Sequence, residues 1–134
     1  MAFKKQLPAV VIEVGSAFWR VGCAGESEPR VTVPTPEIFH QLESKHATKH
    51  EWASSLGPYV SSLLVRRAGC KPKERSVLVL EPLYCLKNFR EALGYVLLKQ
   101  MQVVSLLFVP APLPALLCAT PASTAAPPLP LGVG

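Results

Sequence analysis

Glu13, Gly15, Ser16, Ala17 and Arg20 are the residues of this chain whose types and spacing suit chemistry, and that chemistry is the holding of a phosphate. An apolar run from Ala9 to Ile12 meets the acid Glu13. A Gly15-Ser16 turn follows, then a second apolar segment carrying one base, Arg20. The order reads as strand, tight turn, strand, with the acid and the turn at one end of a hairpin. Glycine and serine at such a turn let backbone N–H groups approach an anion, because no bulky Cβ blocks the way. The stretch closes on Gly22-Cys23-Ala24-Gly25-Glu26. Without a phosphate, Glu13 is a strand-end acid in water and Arg20 a solvated or snorkelling side chain.

Other chemistries find less support. Cys23, Cys70, Cys85 and Cys118 form no C-x-x-C pair, and no signal-peptide pattern shows near Lys4 and Lys5. Reduced thiols in a cytoplasmic protein are the expectation. His46 and His50 lie in a polar stretch that reads as an exposed loop, so no metal site is expected. Arg66, Arg67, Lys71, Lys73 and Arg75 concentrate much of the +5 net charge, but no aromatic residue interleaves them to stack on nucleic-acid bases. A helix C-terminus and a solvated loop account for them, with no nucleic-acid partner. The chain has no G-x-S-x-G, H-E-x-x-H or G-x-x-x-x-G-K-[ST] pattern.

The turn segment resembles the first phosphate loop of the actin superfamily, in which an acid ends the first strand, Gly-Ser makes the turn, a base follows and a G-x-A-G-[DE] segment comes next. Glu28-Pro29-Arg30-Val31-Thr32-Val33-Pro34 is similar to the family's third strand, and Asn88-Phe89-Arg90-Glu91 to the core of a family helix. The likeness spans residues 9–34 and 75–119 and is greatest to the divergent actin-related proteins of the dynactin pointed-end complex. It implies a mixed α/β sheet of five strands with helices, the incomplete N-terminal lobe of an actin-like, ribonuclease-H-like fold. Partners implied are dynactin subunits and the pointed end of an actin-like filament, with a cytoplasmic, cytoskeletal location and a role in dynein-driven transport on microtubules.

The same resemblance implies that catalysis is lost and no cofactor is held. Ala17 stands where the family turn has a second glycine, and Glu13 where it has aspartate. All nine acids are glutamate. Ala111 takes the place of the glutamine that orients attacking water, and alanine cannot hydrogen-bond that water. A second phosphate loop would fall after Thr120, where a proline-rich tail stands instead. The five turn residues are therefore a vestigial nucleotide-phosphate loop in a non-enzyme. The alternative is an ATPase or phosphotransferase remnant with residual nucleotide binding.

The elements that must position these residues follow from the patterning. Strands are expected at Ala9–Val14, Ala17–Cys23, Arg30–Pro34, Ser76–Glu81 and Val103–Val109, the last two being apolar runs suited to cover on both faces. Thr48-x-x-Glu51 is a capping box opening a helix with Trp52, Leu56, Tyr59, Val60, Leu63 and Leu64 on one side, which Gly57-Pro58 should kink or split. A second helix runs from about Lys87 to Met101 with Asn88 as N-cap and Phe89, Leu93, Val96, Leu97 and Gln100 on one face. Trp52, Phe89 and Tyr95 are assigned to the core.

The 134 residues, 49% hydrophobic and 17% charged, suffice for one modest core but not for two lobes, so a truncated form is expected. Residues 1–120 form the partial lobe and 121–134 a disordered proline-rich tail. Val103 to Ala119 is too short and too rich in proline to insert in a membrane.

Overall fold

The computed structural model describes residues 7–82 and 86–110. Strict alternation of buried and less buried positions sets β1, Val10–Val14, and β2, Phe18–Cys23. They pair antiparallel, from Val10 opposite Cys23 to Val14 opposite Trp19. β3, Val31–Pro34, extends the meander beyond β2. β4, Ser76–Glu81, lies parallel to β1 on its other side, and β5, Ser105–Pro110, lies parallel to β4. The order β3-β2-β1-β4-β5 makes one mixed five-stranded sheet, the α/β architecture expected from the sequence.

Three helices complete it. α2, Lys49–Ser61, opens on the capping box: Glu51 N–H donates to Thr48 Oγ1 at 3.1 Å, and Thr48 N–H to Glu51 Oε1 at 2.9 Å. α2 runs unsplit through Pro58 and passes into a π-type turn, Ser62–Arg67. α3, Lys87–Tyr95, likewise continues as a π-type turn, Val96–Gln100. The α3 N-cap is Leu86. Asn88 sits inside the first turn and instead donates its Nδ2 to Ala47 O at 3.1 Å, tying α3 to the start of α2. α1, Glu37–Ser44, is not among the helices expected from the patterning; its buried side chains are Phe39 and Leu42.

One face of the sheet carries Val10, Ile12, Val14, Trp19, Val21, Val77 and Val79, which join Leu56, Val60, Ala92, Leu93 and Leu97 of the helices in a single core. Full burial of each large apolar side chain contributes about 1.5–3 kcal/mol. Trp19 stands at the centre of an aromatic group, 5.3 Å from Tyr59 and 5.7 Å from Phe39, while Trp52 and Phe89 meet edge-to-face at 5.0 Å. Trp52 and Phe89 are buried as expected, but Tyr95 is 49% exposed. It follows Gly94 on the outer side of α3, one step round from the buried Val96. Gln100 is exposed as well.

The opposite face is less covered. β5 is not enclosed on both faces: Leu107 is 60% exposed, while Leu106 and Phe108 pack partly against the core. Val103 belongs to the α3–β5 connection, where its N–H donates to Leu97 O at 3.0 Å and Gln102 takes a left-handed φ of 59°. His46 and His50 do not share a loop. His46 makes the turn after α1 with φ 53°, and His50 lies in the first turn of α2. The stub at Leu113–Leu117, Ala111 and the proline-rich tail lie outside the described residues.

Candidate functional site

β1, β4 and β5 run parallel and end at Val14, Glu81 and Pro110, and the Gly15–Ala17 turn sits at that carboxyl end, where open α/β sheets hold ligands. Gly15 is required sterically: a Cβ there would come 2.6 Å from Phe18 O. Ser16 and Ala17 are exposed, and Ala17 belongs to the turn, so β2 begins at Phe18. Thr35, which sequence reasoning missed, clamps the turn. Its Oγ1 donates to Gly15 O at 2.7 Å and its N–H to Ala17 O at 2.9 Å. A threonine just after β3 carries no local sign of this role, because the contact depends on the β2–β3 register.

Glu13 and Arg20 are cross-strand partners, and Arg20 Nη1 donates to Glu13 Oε2 at 3.3 Å. Their side chains are 41% and 44% exposed, so the pair contributes little stability, yet it engages the base of β2 with the acid of β1. It also lies on the sheet face away from the core. Beneath the turn, on the core side, is a cavity of about 280 Å³ lined by Val14, Gly15, Trp19, Phe39, Trp52 and Phe89, with His40 and Glu43 also lining it. No Lys or Arg is among its described lining residues. The sheet thus brings Glu13, Gly15, Ser16, Ala17 and Arg20 together at one end but sets the charged pair on one face and the cavity on the other.

The Gly22–Glu26 segment ends β2 and opens the connection to β3. Gly25 adopts φ 93°, and Gly22 lies so close to the following chain that a Cβ would approach Pro29 Cα to 3.1 Å. Arg30 chelates Glu26 at 2.8 to 3.2 Å. That hydrogen bonding holds the Glu26 carboxyl below the usual range and pushes the Arg30 guanidinium up. Of the basic concentration, Arg66 and Arg67 fall in the last turn of the π-type segment, and Arg75 donates to Pro8 O at 2.8 Å. Among the described residues no three His, Cys or Glu side chains gather to hold a metal ion, and no helix is long and apolar enough to cross a membrane.

No family model matches the chain. Among curated proteins, actin-related protein 10 of Dictyostelium discoideum is similar, 23% identical over a 131-residue alignment that takes in 75% of this chain and 28% of the relative. The chain therefore spans little more than a quarter of that relative's length.

Proposed function

We propose that this chain is a non-catalytic, actin-related structural protein, a partial lobe (residues 1–120) with a proline-rich tail (121–134). Its partners are the subunits of the dynactin pointed end and the actin-like filament they cap. Its setting is the cytoplasmic cytoskeleton, in support of dynein-driven transport. The actin-related part of this reading is supported by the similarity to actin-related protein 10 and by the five-stranded sheet order. The dynactin part rests on the resemblance of the 9–34 and 75–119 segments to that group.

The observation that carries the non-catalytic part is the closure of Arg20 on Glu13. A base that must face phosphate has no surplus charge once an acid on the neighbouring strand neutralises it, and the nearby cavity offers aromatic walls rather than cations. The rival reading, a nucleotide-binding remnant, is favoured by one feature, the exposed turn at Ser16 and Ala17. A ligand at about a hundred times its Kd stabilises a protein by roughly 2.7 kcal/mol, which a melting curve shows readily. Millimolar ATP–Mg²⁺ should leave the melting temperature unchanged. An increase that Arg20→Ala abolishes would establish the rival. For the partner, tagged full chain expressed in cells should co-purify dynactin pointed-end subunits. Recovery of the chain without them, alongside intact dynactin in the same lysate, refutes that assignment.

A further inference from the structure

The end of the sheet away from the Gly15–Ala17 turn carries bases that hold no partner. Of the described lysines and arginines, Arg20, Arg30, Lys45, Lys49, Lys87 and Arg90 are ion-paired with glutamates, and Arg75 donates to Pro8 O. Arg66, Arg67, Lys71, Lys73 and Lys99 take no hydrogen bond and no ion pair, and all of them are exposed. Arg66 and Arg67 come from the last turn of the π-type segment after α2, and Lys99 from that of the segment after α3. Lys71 and Lys73 belong to a single 3₁₀ turn, Pro72–Glu74, and its N-cap, just ahead of β4.

These segments enclose an open groove of about 460 Å³, lined by Val65, Lys71, Pro72, Lys73, Gln100 and Met101 among others. Arg66 adjoins Val65 in the chain, and Lys99 adjoins Gln100. Val65 is 47% exposed, so an uncovered apolar floor lies between the positive charges. Glu74 is the one acid among the described lining residues and enters no ion pair. The helix macrodipole accounts for Arg66, Arg67 and Lys99 at their helix ends. It does not account for Lys71 and Lys73, because a single turn has too few aligned peptides. Like charges gathered this way repel one another and raise the positive potential over the groove.

We propose that this groove is a docking surface for an acidic peptide segment of a partner protein, with Asp or Glu on both sides of an apolar residue. The carboxylates meet Lys71, Lys73 and the bases beside them. The apolar side chain enters between Val65, Pro72 and Met101, where the flexible methionine adapts to its shape. Recognition of acidic motifs by clustered bases is a recurring mode of peptide binding. Nucleic acid fits the groove less well, since no aromatic side chain among the described lining residues could stack on a base. A lipid surface is met by the continuous apolar face of an amphipathic helix, whereas Val65 and Met101 come from separate segments at the bottom of a groove. The surface lies at the opposite end of the sheet from Glu13 and Arg20, and it does not depend on what that turn binds.

The test uses the full chain and a fluorescein-labelled synthetic peptide, DEEDLLDEED, with fluorescence anisotropy as the readout. Binding should saturate and should weaken as salt rises, because exposed charges are screened. The isosteric neutral peptide NQQNLLNQQN should not bind. Lys71→Gln with Lys73→Gln should lower affinity by roughly tenfold. Lys49→Gln with Lys87→Gln makes the same change in net charge at paired bases, and should bind as the parent does. Glu74→Gln should tighten binding by about twofold, since it removes the acid from the groove. A urea midpoint close to the parent's checks that each variant is folded, and the tightening at Glu74→Gln is a readout that misfolding would not produce. Absence of binding by the acidic peptide overturns the proposal, as does equal binding of the neutral one. Equal losses in the two double variants overturn it too, because they would mark attraction to net charge alone. Tighter binding of a uridine oligonucleotide, or of vesicles containing phosphatidylserine, at the same salt would assign the surface to another class of partner and refute this one.

Discussion

Replacing Arg90 by methionine should be among the most damaging single changes on the surface of this protein, through a residue that is itself half in solvent. Glu81 ends β4 and is 3% exposed, the one buried charged residue among those described. Arg90 reaches it from α3, with Nε donating to Oε2 at 3.1 Å and Nη2 to Oε1, while its guanidinium lies 5.7 Å from the centre of the Phe108 ring. Removing one partner of a buried ion pair costs about 3–5 kcal/mol, because the other charge stays buried and uncompensated. Arg90 is 52% exposed on its side chain, so water reaches the vacated side and the cost falls toward ~2–3 kcal/mol. Against the roughly 5–15 kcal/mol of a typical domain, that is a large share, and the urea midpoint should fall clearly.

Glu81→Gln should cost less, about 1 kcal/mol, since Arg90 then keeps its aromatic contact and its water. The double variant should be more stable than Arg90→Met alone, because the uncompensated charge has gone. If the two single changes cost the same and simply add in the double, Glu81 is solvated and its reading as a buried, Arg90-dependent carboxylate is wrong.

Thr48→Ala should lower stability by about 1 kcal/mol, since it removes half of the capping box at the start of α2. Lys45 and the Thr48 amide hold the Glu51 carboxyl down at about 2. Its contribution is therefore complete above the unfolded value near 4.5 and lost as pH falls toward 2, and Lys45→Met should flatten the acid limb of a stability–pH curve over that window. Leu106→Glu and Phe108→Glu should unfold the chain or nearly so, because an unpaired charge would enter the core. Leu107→Glu, on the exposed face, should leave the unfolding midpoint within error and improve solubility. Equal effects at all three positions would refute the assignment of inner and outer faces of β5.

How much of this was legible in the sequence varied with how local the cause was. The β1–β2 hairpin and the capping box are set within a few residues of chain, and both stand as read. Misplaced features depended on distant neighbours. Gly57-Pro58 looked like a break in α2, but the helix continues, and a Cβ at Gly57 would meet only the end of the exposed Gln100 side chain in the π-type turn that follows α3. Asn88 has the chemistry of an N-cap, yet its amide bonds to Ala47 across the α2–α3 contact. α1 has only Phe39 and Leu42 to bury and follows two prolines, so its periodicity was too brief to read. The Thr35 clamp and the Glu81–Arg90 pair were invisible for the same reason, since each joins elements whose relative placement only the sheet order fixes.

The same consideration separates the position of the candidate site from its chemistry. Spacing placed Glu13 and Arg20 on adjacent strands at the turn, and the register makes them direct partners. Period-two alternation also places them on the face opposite Val14 and Trp19, and so opposite the cavity. A phosphate held at this turn would need the amides of residues 15–17 and a free cation on the same side. Arg20 is engaged with Glu13, and the cavity side offers aromatic rings. Releasing Arg20 would require an anion to outcompete a carboxylate already 3.3 Å away. Because that pair is solvent-exposed and weak, the competition turns on how many amides the turn can contribute. Ala17, by occupying the exposed end of the turn with a methyl group, narrows that approach. With Arg20 closed on Glu13 the charge at the turn is balanced internally, which is what the proposed non-catalytic reading expects.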